Sequence, residues 1–284
     1  MTEAFVFTET DRTKSKWVSA VYRDFVKKTG RTRTTMRGLF YFALQREAPD
    51  YPICGGFVGE IRITRPYHEN DGVKLDKWAG KARAMGLIPA DALLDETAGK
   101  AGEQIFHPDT KEAADTHLEV WVSKASLHPL LYPVCEKHHA TLVSVNGQMT
   151  AEAVRALCMR SSSPTQVLCL SDLSVKSAFF ARDLREAIRM LGPEGCGSPV
   201  EVRSLGLLPE QVLELGVPMI RAGEGGRQSK ESKEGRDAFK RYLQPFGLDS
   251  SGMAEIDALE AYYPGGVAAF LDKMLSGSII MPAA

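Results

Sequence analysis

The chain has 284 residues, 44% hydrophobic and 25% charged, and its 35 Lys and Arg nearly balance 36 Asp and Glu for a net charge of −1. That composition excludes a disordered or collagen-like polymer and fits a globular protein of about two domains. No apolar run approaches the ~18 residues of a membrane-spanning helix, and the opening MTEAFVFTETDRTK lacks the pattern of a secretory leader, so a cytoplasmic protein without membrane contact is expected.

The charge is unevenly distributed. Residues 1–86 hold 16 Lys and Arg against 10 Asp and Glu, net +6, and the remainder holds 19 against 26, net −7. A basic amino-terminal part joined to an acidic larger part suits a nucleic-acid-gripping module attached to something else. The five cysteines, Cys54, Cys135, Cys158, Cys169 and Cys196, are odd in number, widely spaced and without a CxxC pair, so neither a zinc site nor a disulfide framework is expected. His138 and His139 follow a helix ending in Glu136-Lys137 and are expected at the surface.

In chain order, the spacing of Trp17, Val18, Val21, Tyr22 and Phe25 predicts a helix over 12–28 that stops at Gly30. A basic turn with Arg31 and Arg33 follows, and its threonines can cap a helix over 35–46. On that helix Arg37 and Tyr41 are four apart and share one face, where a cation favours the phenolate of a group whose ordinary pKa is about 10 and also grips a phosphate. The same segment suits plain packing, since Leu39, Phe40, Phe42 and Leu44 are core residue types. Pro49, Pro52, Gly55 and Gly56 predict a loop, the sequence between Gly56 and Pro66 a short strand, and 73–85 a helix stopped by Gly86. Lys74, Lys77 and Lys81 lie on one side of that last helix with Arg83 nearby, a face that could follow a phosphate backbone or simply meet water.

Residues 96–114 have no periodicity and read as a bridge, with a domain boundary near 112 separating 1–111 from 112–284. Beyond it, HLEVWV, PLLYPVCEK, ATLVSV, AEAVRALCM, QVLCLS, AFFARDLREAIRML and VEVRSLGL alternate as strand and helix. Such alternation predicts a mostly parallel sheet that binds ligands at the carboxyl ends of its strands, here Ser123-Lys124, Asn146-Gly147 and Ser171-Asp172. Residues 222–236 read as a mobile connector, helices are expected near 235–245 and 264–275, and no phosphate-cradling glycine loop or internal repeat is present.

Taken in this order, the segments resemble the topoisomerase VI A subunit, its meiotic double-strand-break relatives and their small bacterial and mobile-element versions. The family's arginine, three residues and tyrosine stand here as Arg37-Gly38-Leu39-Phe40-Tyr41, and KARAMGLIPADALLDE at 81–96 is similar to a stretch in the bacterial members. EVWVSK at 119–124, SDLS at 171–174 and EIDALEA at 255–261 resemble the Toprim domain that follows. The resemblance implies an α/β protein, a winged helix followed by a Toprim-like sheet, with Tyr41 as nucleophile, Arg37 and Lys124 assisting, and Mg2+ as cofactor. It also implies double-stranded DNA as ligand, a homodimer, and an ATPase or other protein as candidate partner. Arg31, Arg33, Lys74, Lys77, Lys81 and Arg83 become the expected DNA contacts.

The chain departs from the family where the metal should sit. The first Toprim strand normally ends in glutamate-lysine and the third in Asp-x-Asp, whereas here they end in Ser123-Lys124 and Asp172-Leu173-Ser174. Asp172 remains, with Glu255 and Asp257 as supplementary ligands, so Mg2+ binding is expected to be weak. Glu119 lies about 13 Å along the strand from Ser123, too far to substitute. The implied function is a DNA-binding protein with an eroded metal centre and little or no cleavage. Two alternatives stand beside it: an active metal-dependent transesterase or nuclease using Tyr41 and Asp172, and a protein-interaction scaffold in a DNA defence or maintenance complex.

Overall fold

A computed structural model describes residues 7–46, 51–58, 61–94, 104–108, 116–145, 149–191, 196–221 and 232–278. The chain divides into two compact units, Met1–Asp95 and Glu96–Ala284. Among the described residues no helix is long and apolar enough to cross a membrane.

The first unit contains α1 (Glu9–Thr29), β1 (Thr34–Thr35), α2 (Met36–Gln45), β2 (Cys54–Val58), β3 (Ile61–Thr64), α3 (Gly72–Ala84) and β4 (Leu93–Leu94). Thr8 and Asp11 open α1 with reciprocal side-chain to backbone bonds, and Gly30 closes it at φ 71°, a left-handed geometry that glycine adopts without a Cβ clash. The Thr35 hydroxyl caps α2 by accepting from the Gly38 amide at 2.9 Å. Val18, Val21 and Phe25 of α1, Leu39 and Phe40 of α2, and Leu75 and Ala79 of α3 supply the core. The loop expected across Gly55 and Gly56 is instead strand β2, because its backbone pairs antiparallel with β3. Pro49 lies outside the described residues.

The second unit contains β5 (Gln104–Phe106), β6 (His117–Val122), α4 (His128–Lys137), β7 (Thr141–Ser144), α5 (Ala151–Arg160), β8 (Thr165–Leu170), α6 (Phe180–Met190), β9 (Val200–Gly206), α7 (Pro209–Leu215), β10 (Ile220–Arg221), α8 (Lys233–Leu243), β11 (Gly252–Met253), α9 (Leu259–Tyr262) and α10 (Gly266–Ser278). Its main sheet has the order β5-β7-β6-β8-β9, with β7, β6, β8 and β9 parallel and β5 antiparallel at one edge. The alternating helices force that arrangement, since each parallel neighbour needs a crossover. Trp121, Val143, Val167 and Val202 face Val154 and Leu157 of α5 and Leu184 of α6 in one buried cluster. On the other side α4 packs against β7 and α10 against α4. The fold is therefore mixed α/β around a mostly parallel sheet.

Several expectations change. Part of the predicted bridge, Gln104–Phe106, is an edge strand paired to β7. Cys158 and Cys196 are joined by a disulfide, against the expectation of none; spacing carries no sign of it because α6 and β8 intervene. His138 is not a plain surface residue: its Nε2 lies 2.6 Å from Asp272 Oδ1 of α10. Asn146-Gly147 and residues 222–231 of the expected connector lie outside the described residues.

Candidate functional site

Register places the two central acidic and basic groups together. Val122 and Leu170 are paired at the ends of β6 and β8, so continuing each strand by two residues sets Lys124 beside Asp172. The chain leaves β6 for β7 on one side and later enters β8 on the other, which makes the crevice at the carboxyl ends of β6 and β8 the topological switch point of the sheet. The third and fourth groups arrive from far along the sequence. Leu173 and Ala254 exchange two backbone bonds of 2.9 and 3.0 Å, and the Ile256 amide donates to Asp172 Oδ1 at 2.9 Å. This pinning swings Glu255 and Asp257 over the strand ends.

The Lys124 ammonium lies at the centre of the cluster. It donates to Asp257 Oδ2 at 2.7 Å and Glu255 Oε1 at 3.1 Å, and stands 3.5 Å from Asp172 Oδ1. All four groups are buried or nearly so, with Asp257 wholly enclosed. Burial alone would disfavour the lysine's charge, but the fields of Asp257, Asp172 and Glu255 outweigh it and hold the ammonium well above its ordinary range. Burial pushes the Asp172 carboxyl up to about 6; Lys124 opposes that rise and Glu255 adds to it. Burial thus works against ionisation of Asp172 in a site that sets three carboxyl groups around one ammonium.

Carboxylate oxygens are the right donors for a hard cation. Here, however, a lysine cation stands among them at hydrogen-bond range, and among the described residues no group of three or more His, Cys, Asp or Glu is disposed to hold a metal ion. The cluster as folded does not fit Mg2+ without displacing Lys124. Ser123 and Ser174, which stand where the resemblance expects carboxylates, contribute no charge. The Ser123 hydroxyl is buried without a partner, and Ser174 Oγ accepts from the Ser177 amide at 3.3 Å.

No protein-family model matches this chain, and no curated protein matches it.

The other predicted residues belong to the first unit. Arg37 and Tyr41 do meet as their spacing implied: the guanidinium lies 5.4 Å from the Tyr41 ring and 4.1 Å over Phe40. Tyr41 itself is wholly buried, edge-on to Phe40 at 5.1 Å. A phenol in that position must be uncovered before it can reach a phosphodiester.

The lysine face of α3 is partly spoken for. Lys74 donates to Asp71 Oδ1 at 2.8 Å, and Lys81 is paired with Asp11. Asp71 is buried and also receives both guanidinium nitrogens of Arg65 at 2.7 Å; burial resists its ionisation, but Arg65, Lys74 and the His68 amide hold its carboxyl far below the usual range. Arg83 reaches the Leu93 carbonyl and Arg33 the Asp91 carbonyl, while Arg31 stacks 5.0 Å from the Phe25 ring centre. Lys77 is exposed on the same helix.

Glu119, set aside from the sequence as too far from Ser123 to join the metal site, has a different set of partners. It is fully buried near the start of β6, where Arg160 Nε and Nη2 donate at 2.9 and 3.1 Å, Trp121 Nε1 donates at 2.7 Å, and His117 Nε2 lies at 3.1 Å. Burial raises its pKa, but the three partners more than reverse this and keep it ionised. The available clue was a glutamate inside an otherwise apolar strand, which must be paired to be tolerated there.

Proposed function

We propose that this chain is a DNA-binding protein of the topoisomerase VI A-subunit type, a winged helix followed by a Toprim-like domain, that engages duplex DNA without efficient cleavage. The observation that carries the reading is Lys124, held within 3.5 Å of Asp172, Glu255 and Asp257 at the switch point of the sheet. A lysine supplies the positive charge that a divalent ion would supply in a cleaving centre. It cannot bridge phosphate oxygens while committed to three acids, and three carboxyl groups around one ammonium make a poor seat for a phosphate. The buried position of Tyr41 supports the same conclusion. DNA contact then falls to the basic first unit, through Lys77 and the arginines of the turn before α2. A homodimer and a protein partner such as an ATPase belong to the resemblance and are part of this proposal.

Supercoiled plasmid incubated with the protein and Mg2+ or Mn2+, quenched in detergent and run with and without protease, tests both halves. The expected result is intact plasmid that is retarded on a native gel. Protease-sensitive nicked or linear product that disappears in Tyr41→Phe would instead establish a working transesterase. Absence of any retardation at low salt would remove DNA as the ligand and favour the scaffold reading.

A further inference from the structure

At the amino-terminal edge of the main sheet, away from the Lys124 cluster, Cys158 near the end of α5 is bonded to Cys196 in the turn before β9. Cys196 borders a cavity of about 510 Å³ together with Ile188, Arg189, Ser198 and Pro199. Its neighbourhood reaches solvent: Met159, next to Cys158, is 86% exposed and Met190, at the end of α6, is 73% exposed. The unbonded thiols of Cys135 and Cys169 are the opposite case, fully enclosed in the core. Burial pushes the Cys135 thiol up to about 12 and the Cys169 thiol higher still, so neither supplies a thiolate at neutral pH. Cys158 is itself buried at 4% exposure, so the disulfide is reached from the side of Cys196, which is half-buried.

We propose that Cys158 and Cys196 form a thiol–disulfide exchange site, opened by small dithiols and closed by small disulfides that enter through the Cys196 cavity. In opening, a thiolate of the dithiol attacks the Cys196 sulfur; the Cys158–Cys196 bond breaks, and Cys158 leaves as a thiolate that takes up a proton. The second thiol of the reductant then displaces Cys196, which is protonated in turn, and the reductant departs as its own disulfide. Two electrons and two protons end on the protein, and closure is the reverse with a small disulfide as oxidant. The bond closes a loop with a sequence separation of 38 that contains β8, Asp172 and α6. Opening unlinks Cys196, in the turn before β9, from Cys158 of α5, so redox state sets how firmly that turn is held to the helix. In a reducing compartment a disulfide of this kind is a reversible sensor rather than a permanent staple.

The test uses the full chain. Protein exposed to a small disulfide is alkylated under native conditions and then mapped by peptide mass, before and after treatment with dithiothreitol. The expected map has a Cys158–Cys196 linked peptide that dithiothreitol converts to two alkylated cysteines, while Cys135 and Cys169 stay protected until denaturation. The expected thermal shift on reduction is a Tm lower by roughly 5–15 °C, absent from the Cys158→Ser/Cys196→Ser double variant. Free Cys158 and Cys196 after oxidant treatment, or a bond that native dithiothreitol leaves intact, would each overturn the proposal. Both outcomes are read on the wild-type chain and do not depend on the variant folding.

Discussion

Replacing Lys124 with methionine keeps most of the side-chain volume and removes the one cation among Asp172, Glu255 and Asp257. Lys124 is 12% exposed at the side chain and Asp257 is 0% exposed, so water cannot take over the lost charge. Removing one partner of a buried ion pair typically costs about 3–5 kcal/mol. For a unit of this size each kcal/mol is worth roughly 2–4 °C, so the Tm at pH 8 should fall by roughly 6–20 °C. The loss should shrink on acidification, and the sign follows from Asp172. In the wild-type chain its carboxyl is raised from 3.8 to about 6, so its favourable contribution is complete below pH 3.8 and is lost as pH rises through about 6. Without Lys124 the same carboxyl is raised further, and protonation at pH 5.5 relieves more of the strain. The variant should also acquire a response that the wild type lacks: Mg2+ at about 100 times its Kd would restore about 2.7 kcal/mol, because the acids are then open to a hard cation. Calorimetry at pH 8 and pH 5.5, with and without Mg2+, measures all three effects. A Lys124→Met Tm within 2 °C of wild type at pH 8 would refute the idea that lysine neutralises the cluster.

Three further outcomes are expected. Arg160→Met leaves Glu119 without its bidentate partner in a buried site and should cost about 3–5 kcal/mol by urea denaturation, whereas Arg160→Met combined with Glu119→Gln should recover part of that loss. Thr35→Ala removes the hydroxyl that caps α2 and should destabilise the first unit by about 1 kcal/mol, read in the thermal transition of that unit. Lys77→Ala should weaken plasmid retardation and reduce the slope of log affinity against log salt by about 0.9 if its ammonium meets one phosphate; an unchanged slope would take Lys77 out of the interface.

How much of the fold could be read in advance depended on whether the deciding forces were local. HLEVWV and QVLCLS give β6 and β8 to within a residue because a strand buried on both faces must be apolar at almost every position. The end of α1 at Gly30 and both ends of α2 were equally legible, since Gly30 and the capping threonine act over a single turn, but α1 starts at Glu9, three residues before the expected position, because its Thr8 cap lies ahead of the apolar spacing. β2 was missed because Gly55 and Gly56 look like turn residues, and only pairing with β3 makes them strand. β5 escaped notice because three residues at a sheet edge are defined by β7, not by themselves. At the candidate site, Asp172, Lys124, Glu255 and Asp257 were each singled out by resemblance, and the structure brings them together. That the lysine would sit among the acids was not legible, since it depends on where a distant segment docks. The partners of Lys74 and Lys81 were hidden for different reasons: Asp71 precedes the helix, and Asp11 is 70 residues away.

The distances along the chain within the Lys124 cluster bear on how the protein is made. Lys124 is separated from Glu255 by 131 residues and from Asp257 by 133. β6 and β8 precede in the chain the segment that pairs Ala254 with Leu173, so Lys124 and Asp172 are made before Glu255 and Asp257. Closing so long a loop is slow relative to local helix formation. The cluster thus clasps residues 254–257 to the ends of β6 and β8, and a chain lacking those residues would lose two of the three acids placed around Lys124.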